Sequence, residues 1–250
     1  MSLNQIICGD SIQILKTFPR RFVDITITSP PFNLNKKYDK YNDNILYSDY
    51  LTFTKEWLKE VLQVSKITGR LCLDVPLDVN LGGHHSFYVD IANIVQEVGW
   101  KYKVTIIWNK TQITGRTAWG SWQSPSAPSV TTPVEMIGVF YKEKWKRENI
   151  KNKISDITKE QFIEWTYGVW TFPYKSSKEH PAAFPEEVPK RLLKLFSFRD
   201  DVVLDPFNGI GTTCIVAKEL QRKYIGIDIS EEYCKIAERR VNHCHAQMRI

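Results

Sequence analysis

The sequence predicts an α/β fold in which a mostly parallel sheet is covered by helices. Three observations predict it. Strand-like apolar runs alternate with helical periodicity over residues 1–110, and the same alternation returns as a βαβα unit within 180–250. Between them, residues 111–179 are irregular and rich in proline and tryptophan, as an insertion into such a fold would be. A chain of 250 residues suffices for one sizeable domain with an inserted region. Its 42% hydrophobic and 25% charged residues exclude a disordered chain or a fibre.

In the first segment, Asp24 to Thr28, Arg70 to Asp74 and Val104 to Trp108 read as strands. Tyr50 to Val64 and Phe87 to Val98 carry apolar residues at helical spacing. The middle segment has prolines at 125, 128, 133 and 173 and glycines at 115 and 120, and only Glu135 to Tyr141 looks like a strand. A stretch this long without clear periodicity serves recognition more often than core building. In the last segment, Pro185 to Phe198 reads as a helix with proline in its first turn, and Asp201 to Leu204 as a buried strand. Gly211 to Arg222 reads as a helix, Tyr224 to Asp228 as a strand, and a final helix opens near Ser230.

Charge is unevenly distributed. From Lys101 to Lys153 there are ten basic residues against three acids, a local +7, whereas the rest of the chain sums to about −1 of the formal +6. Interleaved with Trp108, Trp119, Trp122, Tyr141 and Trp145, this excess suits a phosphate-lined partner with stackable bases; a solvated basic face is the plainer reading. The five cysteines, at 8, 72, 214, 234 and 244, show no CxxC or Cys/His spacing, so reduced thiols and no metal are expected. No apolar run approaches the roughly 18 residues of a membrane helix, and the first residues lack a signal-peptide pattern. A cytoplasmic protein with no membrane partner is expected.

Two segments carry chemistry. Val203 to Thr213 joins a strand to a helix through Gly209 and Gly211, letting a ligand approach the backbone at the helix start. It lacks the third glycine of a dinucleotide site and the lysine of a triphosphatase loop, which disfavours phosphate. Instead Asp205 opens the loop and Asp228 ends the next strand. An acid in the second position can accept both hydroxyls of a ribose, and one in the first can face an ammonium. A ligand joining ribose to a zwitterionic amino acid without phosphate is S-adenosylmethionine; the competing reading is that both acids merely cap helices. The other segment is Ser29-Pro30-Pro31-Phe32, at the end of a strand. Two prolines stiffen the chain and remove its N–H groups, leaving carbonyls and the Ser29 hydroxyl as acceptors and Phe32 as a stacking surface. Such a corner fits an exocyclic amino group on a base.

Together these segments closely resemble the DNA amino-methyltransferases that modify exocyclic nitrogens of cytosine or adenine. The order, catalytic motif first and cofactor loop last, is similar to the permuted beta group of that family. Cys8-Gly9-Asp10, Ile106 to Lys110 and His180 to Pro185 match it further. The resemblance implies a Rossmann-like S-adenosylmethionine-dependent sheet with 1–110 as its catalytic half, 111–179 as target-recognition region and 180–250 as its cofactor half. It implies catalysis at Ser29, Pro30, Pro31 and Phe32. Asp10 would contact the adenine, Asp205, Pro206, Phe207, Asn208, Gly209, Gly211 and Thr212 would cradle the methionine part, and Asp228 would take the ribose. Ser230 beside it and Phe184 complete the expected cofactor set. Ser29 in the first motif position favours cytosine N4, with adenine N6 as the alternative and an RNA or protein amide as a more distant one. Double-stranded DNA is the expected partner, with phosphates met by Lys36 and Lys37 of a mobile arm at 33–47 and by Lys144, Lys146 and Arg147. A cognate restriction endonuclease and a monomeric or homodimeric state complete these expectations. A dinucleotide oxidoreductase leaves the Ser29 corner unexplained, and a noncatalytic DNA-binding module leaves the cofactor loop unexplained.

Overall fold

The computed structural model describes residues 2–81, 83–110, 120–130, 132–148, 150–174 and 185–244. Its elements, in chain order, begin with β1 (Gln5–Cys8), α1 (Ser11–Lys16), β2 (Val23–Thr28), α2 (Tyr47–Val64) and β3 (Ser65–Pro76). A small hairpin, β4 (Val79–Asn80) and β5 (His84–His85), precedes α3 (Phe87–Val98), β6 (Lys101–Asn109) and β7 (Val134–Tyr141). Next come α4 (Lys159–Trp165), β8 (Val169–Thr171), α5 (Glu187–Phe196), β9 (Val202–Asp205), α6 (Thr212–Glu219), β10 (Lys223–Asp228) and α7 (Glu231–His243).

Eight strands form one sheet in the order β1-β10-β9-β2-β3-β7-β6-β8. The run from β1 to β3 is parallel, β7 is antiparallel to both neighbours, and β8 is parallel to β6. Period-two alternation feeds two cores. Leu71, Leu73, Leu204, Ile225 and Ile227 join the core under α1, α2 and α3, while Ile25, Ile27, Cys72 and Val203 join the one under α4 to α7. Both faces of β2 and β9 are covered, and every residue of the two strands is buried. Since β9 follows the loop from α5 yet pairs with β2, the first and last thirds of the chain share one sheet.

The middle of the chain is more regular than its composition suggests. Besides β7, it supplies β8, three residues long, and α4, fixed by a capping box between Thr158 and Gln161. The periodicity argument also passes over β1 and α1, of four and six residues, too short to show a period. Among the described residues no helix is long and apolar enough to cross a membrane.

Candidate active site

Parallel pairing of Ile25 with Val203 and Thr26 with Leu204 sets the carboxyl ends of β2 and β9 side by side. The Thr28 hydroxyl donates to Asp205 at 2.8 Å, tying the two ends together. Beyond them the chain opens one cavity. Ser29, Pro30, Pro31 and Phe32 line one side, Pro206 and Phe207 another, and Asp10, Asp228 and Ser230 the far end. Phe32 is half-buried, edge-on to Phe87 at 6.0 Å, which fixes its plane. Phe207 is held edge-on to Trp57 at 5.1 Å.

Asp228 keeps acceptor capacity on both oxygens. One carboxylate oxygen accepts the Gly209 N–H at 2.7 Å and the other the Ser230 N–H at 2.9 Å, so each keeps a lone pair for a hydroxyl. Burial pushes this acid up from the usual carboxylate range, and the two N–H donors pull against that. Ser230 caps α7 by accepting the Tyr233 N–H at 3.1 Å. Asp10 lines the cavity and also caps α1, accepting the Gln13 N–H at 2.9 Å.

The rest of the loop supports the cavity from behind. The Asp205 carboxylate is 1% exposed and accepts from Thr28 and from the Phe207 N–H; burial raises its pKa to about 6, against hydrogen bonds from Thr213 and Thr28. It is not among the residues that line the cavity described above, and its hydrogen bonds tie the loop to the neighbouring strand. Asn208 turns inward, where its oxygen accepts the Cys214 thiol at 3.1 Å. Gly209 serves through its N–H on Asp228. Gly211 takes φ +88° and packs where a Cβ would meet Ala237 at 2.9 Å, bringing α6 onto α7. Thr212 is buried in the first turn of α6. So Asn208, Gly209, Gly211 and Thr212 shape the site without standing in its wall. Phe184 and His180 lie outside the described residues.

Asn208 depends on Gly226 of β10, where a Cβ would come within 2.5 Å of its side chain. Gly226→Ala is therefore expected to destabilise the fold by about 1–3 kcal/mol through overpacking, read by denaturant unfolding. A variant as stable as the parent would mean that Asn208 can swing clear.

The loop expected to be an arm over DNA reaches the Asp228 and Ser230 end of the cavity. Asp43, 2% exposed, accepts the N–H groups of Asn33, Leu34 and Lys36 at 2.7, 3.0 and 3.0 Å. The Asn33 side chain exchanges two hydrogen bonds with the backbone of Ile45, both 2.8 Å. These ties fold 33–45 back on itself and bring Tyr38, Lys40 and Tyr41 to the cavity wall, while Asp39 accepts the Ser230 hydroxyl at 2.8 Å. Lys36 and Lys37 remain exposed on its outer side.

The basic residues after Tyr141 lie away from the cavity. Because β7 runs antiparallel to β3, pairing Pro76 with Glu135 and Arg70 with Tyr141, residues after Tyr141 lie at the edge of the sheet opposite Ser29. Lys144 and Lys146 are exposed there. Arg147 is not on the surface: its guanidinium is 9% exposed and binds Asp201 and the Asp24 carbonyl. Net charge along the chain gave no sign of this, since strand direction decides which edge a lysine reaches.

A protein-family model described as DNA methylase matches residues 23–239. The type II methyltransferase M.MjaVI of Methanocaldococcus jannaschii is 53% identical over 161 residues, covering 64% of this chain and 82% of its own. The type II methyltransferase M.HpaI of Haemophilus parainfluenzae is 30% identical, covering 95% of this chain and 74% of its own. TTHA0409 of Thermus thermophilus, solved with S-adenosyl-L-methionine, superposes with a TM-score of 0.75 at 28% identity, over 96% of this chain and 94% of its own. A family match across most of the sheet, with relatives of this extent, shows that the chain belongs to the N6/N4 family of DNA methyltransferases.

Proposed function

We propose that the chain transfers the methyl group of S-adenosyl-L-methionine to the exocyclic N4 of a cytosine flipped out of duplex DNA. One observation carries the reading: Ser29 to Phe32 and the Pro206, Phe207, Asp228 and Ser230 group line the same cavity. The cofactor, when bound, supplies a methyl group on a positively charged sulfur. Asp228 offers an acceptor to each ribose hydroxyl, and Asp10 and Ser230 flank it.

The chain's own contribution is positioning. An exocyclic amine is a weak nucleophile because its lone pair is delocalised into the ring. The Ser29 hydroxyl and the Pro30 carbonyl can each accept one of its N–H bonds, which favours a tetrahedral nitrogen with its lone pair free for in-line attack. Phe32 offers a stacking face to the flipped base, offsetting an unstacking cost of about a few kcal/mol. Ser29 in place of an aspartate favours cytosine by the family resemblance.

Recognition is proposed for the loops that leave the same sheet edge as Ser29. The connection 110–133 is one of them, carrying Trp122 at 64% and Val130 at 90% exposure. Kinship with type II methyltransferases extends the proposal to a partner endonuclease that cuts the unmethylated target. Labelled cofactor and duplex DNA, followed by nucleoside mass spectrometry, tests the reading: N4-methylcytosine is expected, N6-methyladenine would move the assignment to the other base, and no DNA product would end it. A separate test concerns the ribose. Asp228→Asn is expected to weaken cofactor binding roughly 10- to 100-fold, the loss of one or two charge-assisted hydrogen bonds. Titration calorimetry reads it, and an unaltered dissociation constant contradicts the role.

A further inference from the structure

Two sulfurs meet beside the Asp228 end of the cavity, away from the Ser29 corner. Cys8 ends β1, the edge strand of the sheet, and pairs with Asp228 of β10 in parallel register. Cys234 stands in the first turn of α7, its N–H bonded to the Ser230 carbonyl at 2.9 Å. One side chain comes from the strand and the other from the helix, and both reach the backbone of 228–229. The Cys234 thiol donates to the Asp228 carbonyl at 3.5 Å and the Cys8 thiol to the Ile229 carbonyl at 3.9 Å, and the two thiols are in hydrogen-bonding contact with each other. Of the other cysteines, Cys72 and Cys214 are sealed in the core under α4 to α7, and Cys244 donates to the Glu219 carboxylate at 3.4 Å.

The two members differ in what they can do. Cys8 is exposed and Cys234 is buried, so a dissolved oxidant meets Cys8 first. Burial, then the Cys8 sulfur and the Asp228 carboxylate, push the Cys234 thiol up from its ordinary value, and a buried protonated thiol is inert on its own. Contact with Cys8 changes that, because an oxidised sulfur with a second thiol against it condenses to a disulfide instead of climbing further up the oxidation ladder. The backbone between them aims the proposed ribose acceptor. The Asp228 carboxylate is held by the N–H groups of Gly209 and Ser230, and its carbonyl accepts both the Cys234 thiol and the Gly9 N–H, the latter at 2.8 Å. A bridge removes both S–H donors and draws the end of β1 toward α7 across this segment.

Resting on the reading of Asp228 as the ribose acceptor, we infer that Cys8 and Cys234 form a redox modification site, a dithiol that hydrogen peroxide converts to an intramolecular disulfide with loss of cofactor affinity. The Cys8 sulfur takes one oxygen as the O–O bond breaks, giving a sulfenic acid and one water. The Cys234 sulfur then attacks the Cys8 sulfur, the S–O bond breaks, and the hydroxyl leaves with the Cys234 proton as a second water. Two thiols have lost two hydrogens and two electrons, and the peroxide has taken them. A dithiol reductant reverses the change by thiol–disulfide exchange. Cofactor and bridge act on the same segment, so bound cofactor disfavours the bridge by the same factor through which the bridge weakens cofactor binding.

Treatment of the full chain with hydrogen peroxide tests this. Peptide mass spectrometry without reductant is expected to find the Cys8 and Cys234 peptides joined, two hydrogens lighter than their sum, and dithiothreitol should part them. Calorimetric titration with S-adenosyl-L-methionine should show the oxidised chain binding roughly tenfold more weakly, the worth of about one hydrogen bond, with affinity restored by dithiothreitol. Cys8→Ser, a change at an exposed position, should bind cofactor as the parent does both before and after peroxide. In a glutathione redox buffer, saturating cofactor should lower the fraction of bridged chains. Cys8 carried to the sulfinic acid while Cys234 stays a free thiol overturns the pair, as does a bridge that excludes either residue. A Cys8 to Cys234 bridge with cofactor affinity unchanged, or an affinity lost equally in Cys8→Ser, overturns the coupling. Reduced wild type that binds no cofactor instead removes the reading of Asp228, and the peptide map still decides whether the two sulfurs join.

Discussion

Ser29→Ala should keep its affinity for cofactor and lose turnover by roughly 10²-fold or more, the usual weight of a group that handles a proton in the transition state. The reason is local and has no substitute nearby. Pro30 and Pro31 carry no N–H, so the corner cannot reorganise its backbone into an alternative hydrogen-bonding pattern. With the hydroxyl gone, the amine keeps one acceptor, the Pro30 carbonyl, and its second N–H faces a methyl group. Asp228 and the Gly209 turn lie at the other end of the cavity and do not touch Ser29, so binding and chemistry separate in this variant. Single-turnover rates with calorimetric cofactor titration provide the check. Unchanged turnover would take Ser29 out of the reaction, and a parallel loss of cofactor affinity would show that the variant has disturbed the cavity rather than the amine.

Both halves of this cavity were legible because proline, glycine and strand-end acids are local statements about backbone. Stiffness at Pro30-Pro31 and a turn at Gly209 and Gly211 hold in any fold that accommodates them. The direction of each acid was not legible. Asp205 and Asp228 read alike in sequence, each closing an apolar strand, yet Thr28 of the adjacent strand engages the first, while the second keeps its free lone pairs toward the cavity. Asp74 closes Arg70 to Asp74 by the same pattern, and only its position beside Ser29 and Glu135 distinguishes it. At the level of the fold, long amphipathic segments such as α2 and α3 announce themselves. β1 exists because Gln5 to Cys8 finds β10 more than two hundred residues away, and β8 because three residues meet β6. Those are tertiary facts that no local window contains.

Arg147→Met is expected to be the most destabilising single change proposed for this protein, by about 3–5 kcal/mol, because it breaks a buried pair by removing one partner. Asp201 has 0% exposed side-chain area and receives Arg147, Lys153 at 3.0 Å and the Phe198 N–H at 2.8 Å. Burial alone would raise its pKa, but the Arg147 charge and these hydrogen bonds outweigh burial and hold it below the usual carboxylate range. A depressed acid contributes stability that is present above its unfolded value of about 3.9 and is lost as pH falls through its folded one. The gap between parent and variant, measured by denaturant unfolding, should therefore be widest near neutrality and shrink in acid. DNA binding supplies the opposing test. A guanidinium enclosed between β2 and β9, at the sheet edge away from Ser29, cannot release a counterion from a phosphate, so the salt dependence of DNA affinity should be the same in both proteins. A salt slope reduced by about one ion with stability intact would return Arg147 to the DNA, and with it the lysines at 144 and 146, whose separation from the reaction edge rests on the same strand reversal at β7.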